Sequence, residues 1–193
     1  MAEIKKRIKA RLAETDRSVL KDALRAIIDL EAQLAALEEK PVSTSGMKVS
    51  NKGIKEIKNH EGVRHKPYRD PVGFWTVGVG HLITKKKQLP PEWNKTLTTK
   101  EVNSLLRQDL DRFEKCVNKA CPNDLAQPRF DAMVSLAFNI GELAFKRSSI
   151  CRKHNQRDFM GAANAFRLYR KAGGKVLQGL VDRRERERLL YLS

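Results

Sequence analysis

The sequence predicts an α+β protein in which a small lobe built on a β-hairpin precedes a larger helical lobe, with an amphipathic helical extension in front of both. Three observations carry this reading. Apolar residues recur at helical spacing before residue 40 and again after residue 98. Between them, Phe74-Trp75-Thr76-Val77-Gly78-Val79 is rich in strand-favouring residues and follows Asp70-Pro71-Val72-Gly73, which has Asp, Pro and Gly where a type I turn wants them. The stretch Lys40-Pro41-Val42-Ser43-Thr44-Ser45-Gly46 has the composition of a linker and divides the chain into residues 1–45 and 46–193.

The elements follow in order. Ile4, Ile8 and Leu12 lie four apart among basic residues. After a polar break at Thr15-Asp16 the apolar positions are Leu20, Leu24, Ile27, Ile28, Leu30, Leu34 and Leu37, the period of an amphipathic helix. Glu31 interrupts that seam, and the heptads are too few to define a coiled coil. Beyond the linker, Ser50 can cap a short helix that turns Ile54 and Ile57 inward and ends near Gly62. In the strand after the turn, Phe74, Thr76 and Gly78 face one way and Trp75, Val77 and Val79 the other. Thr98 and Glu101 make a capping box for a long helix whose inner face carries Val102, Leu106, Phe113, Val117 and Ala120, and Pro122 stops it. Further helices are expected at about 127–139, 148–154, 158–170 and 180–191.

Charge narrows the range of partners. The 193 residues carry 39 Lys and Arg against 23 Asp and Glu, a formal charge of +16. Residues 1–45 hold nine basic and eight acidic groups, residues 46–193 hold 30 and 15, and within residues 146–193 thirteen basic groups meet four acidic ones. Nucleic acid, anionic lipid and an acidic polymer such as a bacterial cell wall are all attracted to such a surface. Aromatic residues make up only 6% and no nucleic-acid-binding motif is present, so Lys85-Lys86-Lys87 reads as a solvated face. No apolar run approaches the ~18–20 residues of a membrane span. The N-terminal MAEIKKRIKARL lacks the apolar core of a signal peptide, so no export signal is expected. Three cysteines are too few for a disulfide framework or a four-cysteine zinc site. Cys116 and Cys121, near a helix end, can form a disulfide if the helix breaks between them or remain two reduced thiols, with Cys151 the third. His60 and His65 straddle Gly62 at a spacing poor for metal ligation, and no phosphate-binding loop is present, so neither metal nor cofactor is expected.

The residues that can carry chemistry are Glu61 at a helix end, Asp70 at the turn and Thr76 on the returning strand. Each alone has an ordinary explanation: a solvated surface group, a turn, a β-former. Their spacing, Glu-x8-Asp-x5-Thr, within HEGVRHKPYRDPVGFWTVGVGH, resembles that of phage-type lysozymes, the muramidases of glycoside hydrolase family 24. Thr76-Val-Gly-Val-Gly-His81, Ser135-Leu-Ala-Phe-Asn-Ile-Gly141 and Gly179-Leu-Val-Asp-Arg-Arg184 carry the resemblance further, over about residues 48–193, and residues 1–45 lie outside it. It implies a lysozyme-like fold and inversion at the anomeric carbon, with a water held between Asp70 and Thr76. The chemistry agrees with the residues: glycoside hydrolysis commonly uses two carboxyl groups, one protonated and one ionised. Glu61 is the candidate general acid, because the negative end of a helix disfavours its ionised form. Asp70, better solvated at an open turn, is expected to stay ionised.

By the same resemblance Arg183 pairs with Glu61, which would oppose the helix-end effect. Equally, Arg183 to Arg188 form a helix face laced with Glu185 and Glu187. His81 is expected to pair with Asp109 and tie the hairpin lobe to the long helix. Leu82, Phe138, Ser149 and Asn164 fall where the family lines its sugar-binding cleft, although Phe138, Ser149 and Asn164 equally suit core packing or capping. The function expected is that of an endolysin, cleaving the β-1,4 bond between N-acetylmuramic acid and N-acetylglucosamine in peptidoglycan. It would be held in the host cytoplasm until a pore-forming holin admits it to the wall. The alternatives are a virion-associated or prophage-derived lysozyme docked through residues 1–45 and, from another class, a basic protein that binds nucleic acid or anionic surfaces. For residues 1–39, contact with an anionic membrane and helix–helix docking both stand open.

Overall fold

Ser50 caps a short helix, as expected. Its hydroxyl accepts from the Gly53 amide at 3.1 Å and caps α1 (Asn51–Glu61), which buries Ile54 and Ile57. This computed structural model describes residues 46–122 and 125–193, so the expected N-terminal extension lies outside the described residues. Helix α1 stops at Gly62, whose φ of +76° and ψ of 169° place it in a region that essentially only glycine occupies. Strands β1 (Arg64–Arg69), β2 (Trp75–Gly78) and β3 (His81–Thr84) then form an antiparallel sheet in the order β1-β2-β3. The β1–β2 register shifts between Arg64 and Tyr68, the stretch containing Pro67, which has no amide to give the ladder. Asp70 to Gly73 make the turn, closed by the Gly73 amide donating to the Asp70 carbonyl at 2.9 Å. Val77 and Val79 enter the core, and Thr76 is also buried, so the centre of β2 is covered on both faces.

The helical lobe starts after a 3₁₀ turn at Pro91–Trp93. Thr98 and Glu101 form the capping box of α2 (Thr99–Ala120), a helix of 22 residues and roughly 33 Å. Its buried stripe is Val102, Leu106, Leu110, Phe113, Cys116 and Val117, with Ala120 only half-buried at the C-terminal end before Cys121 and Pro122. Helix α3 (Gln127–Ile140) buries every residue from Phe130 to Ala137 and is the centre of the domain. It is followed by α4 (Glu142–Lys146), α5 (Ser149–Asn155) capped by Ser148, and α6 (Phe159–Ala165) capped by Asp158. The single helix expected at 158–170 is divided. A 3₁₀ turn at Phe166–Leu168 follows α6, and then a two-stranded ribbon, β4 (Lys171–Ala172) and β5 (Lys175–Val176), turns on Gly173 and Gly174 at positive φ.

Helix α7 (Gln178–Leu192) closes the chain against α3. The core between these helices holds Phe130, Phe145, Phe166, Leu136, Ile150 and Tyr191, each almost fully buried and each stabilising the fold by about 1.5–3 kcal/mol relative to exposure. Two buried acids fasten the start of the domain to it. Asp131 on α3 accepts from the Ser50 amide at 3.0 Å and from the Ser50 hydroxyl, and Glu114 on α2 accepts from the Val49 amide at 2.9 Å. Residues 46–193 form one compact unit, and no helix among the described residues is long and apolar enough to cross a membrane.

Candidate active site

Glu61 is the last residue of α1, and the abrupt turn at Gly62 leaves its carboxylate projecting from the helix end. Its Oε1 accepts a 2.6 Å hydrogen bond from Nη1 of Arg183 on α7, while its side chain remains 27% exposed. Arg183 itself is buried. Its Nε donates to Glu187 Oε1 at 3.0 Å and its Nη2 to the Ser135 carbonyl at 3.2 Å, so the guanidinium is oriented by three acceptors in three directions. Glu187 also accepts from the Ser135 hydroxyl at 2.7 Å and lies 3.0 Å from Arg184 Nε. Arg184 donates in turn to Asn139 at 3.1 Å. Burial acts on both signs of charge in this network: it pushes the Glu187 carboxyl above its ordinary range and brings Arg184 down to about 10. His60, next to Glu61, is brought down to about 4, first by burial and then by Arg183, Arg186 and Arg184.

Asp70 is fixed differently. Its Oδ1 accepts from the amides of Val72 at 3.0 Å and Phe74 at 2.8 Å, the geometry of a turn-forming aspartate, and no described residue donates to Oδ2. Thr76 lies on β2, opposite Tyr68 of β1 and Leu82 of β3. Its hydroxyl is 3.4 Å from the Phe74 carbonyl, a long and weak hydrogen bond. Around the turn, Arg69 stacks 4.6 Å from the Trp75 ring and donates to the Gly73 carbonyl at 2.5 Å and to the Lys87 carbonyl. Trp75 Nε1 donates to the same Lys87 carbonyl at 3.1 Å, which pins the Lys85–Lys87 loop beside the Asp70 turn.

A cleft of ≈ 560 Å³ runs between the lobes, lined by Glu61, Gly80, Leu82, Gln108, Asp109, Asp111, Arg112, Phe113, Phe138 and Asn139. Glu61, Leu82, Phe138 and Asp109, all named from sequence, therefore meet in one cavity. His81 Nδ1 lies 3.0 Å from both oxygens of Asp109 and its ring stacks on Trp93 at 5.6 Å, joining β3 to α2. Phe138 packs edge-on to Phe113 at 5.3 Å while keeping a surface in the cleft, so it is both a packing and a lining residue. Asp70, Thr76, Ser149 and Asn164 are not in the lining. Ser149 opens α5, where Ser148 rather than Ser149 is the cap, and Asn164 is exposed on α6. Glu187, Arg184 and Ser135 were not singled out as site residues from sequence. The i, i+4 spacing of Arg183 and Glu187 is the signal that could have found the network, but it reads equally as a surface ion pair. Among the described residues no cluster of His, Cys, Asp and Glu could hold a metal ion.

A two-lobed α+β fold with an inter-lobe cleft and a glutamate projecting into it from a helix end is the architecture of a lysozyme-type glycosidase. Comparison with known proteins places the chain within that class. The phage lysozyme family model matches residues 58–187. The endolysin of Salmonella phage P22 is 40% identical over 147 residues, covering 76% of this chain and 99% of the relative. The endolysin of Bacillus phage B103 is 38% identical over 149 residues, of which this chain spans only 55% of the length. The crystal structure of a P22 lysozyme mutant superposes with a TM-score of 0.69 at 40% identity, over 76% of this chain and 99% of that one. The chain belongs to the phage lysozyme family, and its described domain is a glycosidase of the endolysin type, with lysis of the cell wall as its class of activity.

Proposed function

We propose that this chain is an endolysin that hydrolyses the β-1,4 bond between N-acetylmuramic acid and N-acetylglucosamine of bacterial peptidoglycan, with residues 46–193 as the catalytic domain. The observation that carries this reading is the placement of Glu61, anchored through Oε1 by a buried arginine and lining the inter-lobe cleft. With Oε1 occupied, Oε2 is the oxygen that gives a proton to the leaving glycosidic oxygen. Asp70 has the complementary arrangement: Oδ1 is held by two amides, and Oδ2 takes the proton of the attacking water. The Thr76 hydroxyl exchanges its weak bond to Phe74 for one to that water and aims it. Inversion requires room for a water between carboxyl groups roughly 6.5–9.5 Å apart. Leu82 and Phe138 offer apolar surfaces to the sugar rings, whereas a sugar-contacting role for Ser149 and Asn164 rests on the family resemblance alone. His81 and Asp109 act as a strut that keeps β3, and with it Leu82, in place.

The place of action is the wall, and the chain reaches it from the host cytoplasm through a holin pore. Residues 1–39, with their cationic amphipathic pattern, serve as a membrane-contacting or helix-docking arm. General acid catalysis contributes ~10²–10⁴-fold. Glu61→Gln should therefore lower activity on purified walls by that factor while leaving the circular dichroism spectrum unchanged. Mass analysis of the released fragments should find reducing N-acetylmuramic acid ends. Anhydro ends would instead assign a lytic transglycosylase and overturn the proposal.

A further inference from the structure

The three cysteines of this chain are buried and reduced, but two of them are not independent. Cys121 terminates α2, where its amide donates to the Val117 carbonyl at 2.8 Å. Cys151 lies in the first turn of α5, where its amide donates to the Ser148 hydroxyl at 3.0 Å. The two sulfurs are 3.4 Å apart, with the Cys121 thiol donating to Cys151. Asn155 donates to the Ala120 carbonyl at 2.8 Å and so ties the same two helix ends together from the side. Cys116 is excluded from this pair, because its sulfur lies 3.9 Å from the Glu142 carbonyl at the start of α4. Of the two sequence-based alternatives for Cys116 and Cys121, a disulfide or two reduced thiols, the structure has the second: both are free and buried.

We propose that Cys121 and Cys151 form a disulfide when the protein meets an oxidising compartment, giving a covalent brace between the end of α2 and α5. A disulfide needs the sulfurs to close from 3.4 Å to about 2.05 Å, a movement of roughly 1.4 Å within reach of side-chain rotation at helix ends already tied together. Cys151 is the sulfur that meets the oxidant, being 5% exposed while Cys121 is fully covered. The hydrogen bond from Cys121 also holds the Cys151 thiol below its ordinary value and raises that of Cys121. The Cys151 thiolate attacks one sulfur of a small-molecule or protein disulfide, forming a mixed disulfide and releasing one thiolate. Cys121 then gives its proton to that thiolate or to water and attacks the Cys151 sulfur, releasing the second thiol. Two electrons and two protons leave the enzyme, and the oxidant becomes two thiols.

The physiological sense of this step rests on the reading that the enzyme works outside the reducing cytoplasm, where thiols are kept reduced and disulfides rarely persist. The protein would accumulate unbraced and be stabilised where it acts. The cross-link encloses about 30 residues, including α3 and α4, and loop-closure entropy at that length corresponds to a rise of roughly 10 °C in the thermal midpoint of a protein this size.

The test uses the full chain purified under reducing conditions and then exposed to oxidised glutathione, both folded and during refolding. Thiols titrated in denaturant should fall from three to one, and non-reducing peptide mapping should join the fragments holding Cys121 and Cys151. The thermal midpoint should rise over that of the reduced protein. Cys116→Ser should form the same link, its thiols falling from two to none, and Cys121→Ser should form no internal link. Retention of all three thiols in both samples, a link to Cys116, or a linked protein with an unchanged midpoint would overturn the proposal. Clearing of purified walls, measured on the same samples, separates the two readings. Cross-linking without clearing would sink the enzymatic assignment and leave the brace, whereas clearing with three free thiols would sink the brace alone.

Discussion

Replacing Arg183 by Met removes the side chain on which the candidate site is assembled, and the consequence can be worked from its contacts. The guanidinium is 5% exposed and donates to Glu61 at 2.6 Å, Glu187 at 3.0 Å and the Ser135 carbonyl at 3.2 Å. Glu61 can exchange its lost donor for water. Glu187 cannot, because it is only 2% exposed and would be left with Arg184 and the Ser135 hydroxyl. Breaking a buried ion pair by removing one partner costs about 3–5 kcal/mol, and the surviving Arg184 contact places this case near 3 kcal/mol. At roughly 2–4 °C per kcal/mol for a chain of this length, the thermal midpoint should fall by about 6–12 °C. Urea unfolding followed by circular dichroism should show the loss in midpoint with an unchanged slope. Adding Glu187→Gln to Arg183→Met should lower the midpoint further, because the fully buried Arg184 then loses the carboxylate it pairs with at 3.0 Å. Wall-clearing activity measured well below both midpoints should still be lowered, because Glu61 has lost its anchor. A stability within about 1 kcal/mol of the parent's would refute the claim that Arg183 is a buried keystone rather than one of many surface cations.

Two further outcomes follow from the same geometry. His60 is held at about 4 against an ordinary value of 6.5, so between these values the unfolded chain binds the proton more tightly than the folded one. Its contribution to stability is therefore complete above pH 6.5 and is lost as pH falls toward 4. Glu101 and Asp111, held near 2 by lysines, lose theirs only at lower pH, whereas burial raises the Glu187 carboxyl, so the part of the difference in urea midpoint between pH 7 and pH 5 that His60→Gln removes is the part due to the histidine. Gly62→Ala meets no atom within 4 Å of the added carbon, so its cost is backbone strain alone, about 1–3 kcal/mol at this positive φ. Because the strain falls at the residue after Glu61, activity at a temperature where the variant is fully folded should drop as well, and unchanged activity would show that the helix end tolerates a shift.

Much of the architecture was legible because its signals are local. Ser50, Thr98 with Glu101, Asp70 to Gly73 and Pro122 are caps, turns and stops whose chemistry acts within four residues, and each falls where an element begins or ends. The placement of Glu61 and Asp70 was legible for the same reason, since a helix end and a turn are properties of short stretches. The elements that escaped notice are too short to show a period: α4 has five residues, and β4 and β5 have two each. Helix α7 was misleading in a different way. Its run Arg183-Arg184-Glu185-Arg186-Glu187-Arg188 has the composition of a surface helix, yet Arg183, Arg184 and Glu187 are buried while Leu189 is 55% exposed. The pattern inverts because polar groups on α7 are satisfied by partners about 50 residues away on α3. The Cys121–Cys151 approach was hidden likewise, since thirty residues separate two thiols that the packing of α2 against the later helices brings together.

That burial also changes where the protein's excess positive charge can act. By count the excess is concentrated in residues 146–193, where Arg183 and Arg184 neutralise Glu187 and support Glu61, and Arg167 and Arg188 converge on Glu185. The hairpin lobe is different. Residues 62–91 hold six Lys and Arg and a single acid, Asp70, and among the described residues none of these six makes an ion pair. Three of them lie over aromatic rings instead: Arg64 on Tyr68, Arg69 on Trp75 and Lys85 on Phe74. Such stacking fixes a cation in place without neutralising it. Six cations without an ion-pair partner among the described residues therefore flank the Asp70 turn in sequence. They draw an anionic wall toward the proposed base while Arg183, spent inside the protein, does the quieter work of holding the proposed acid.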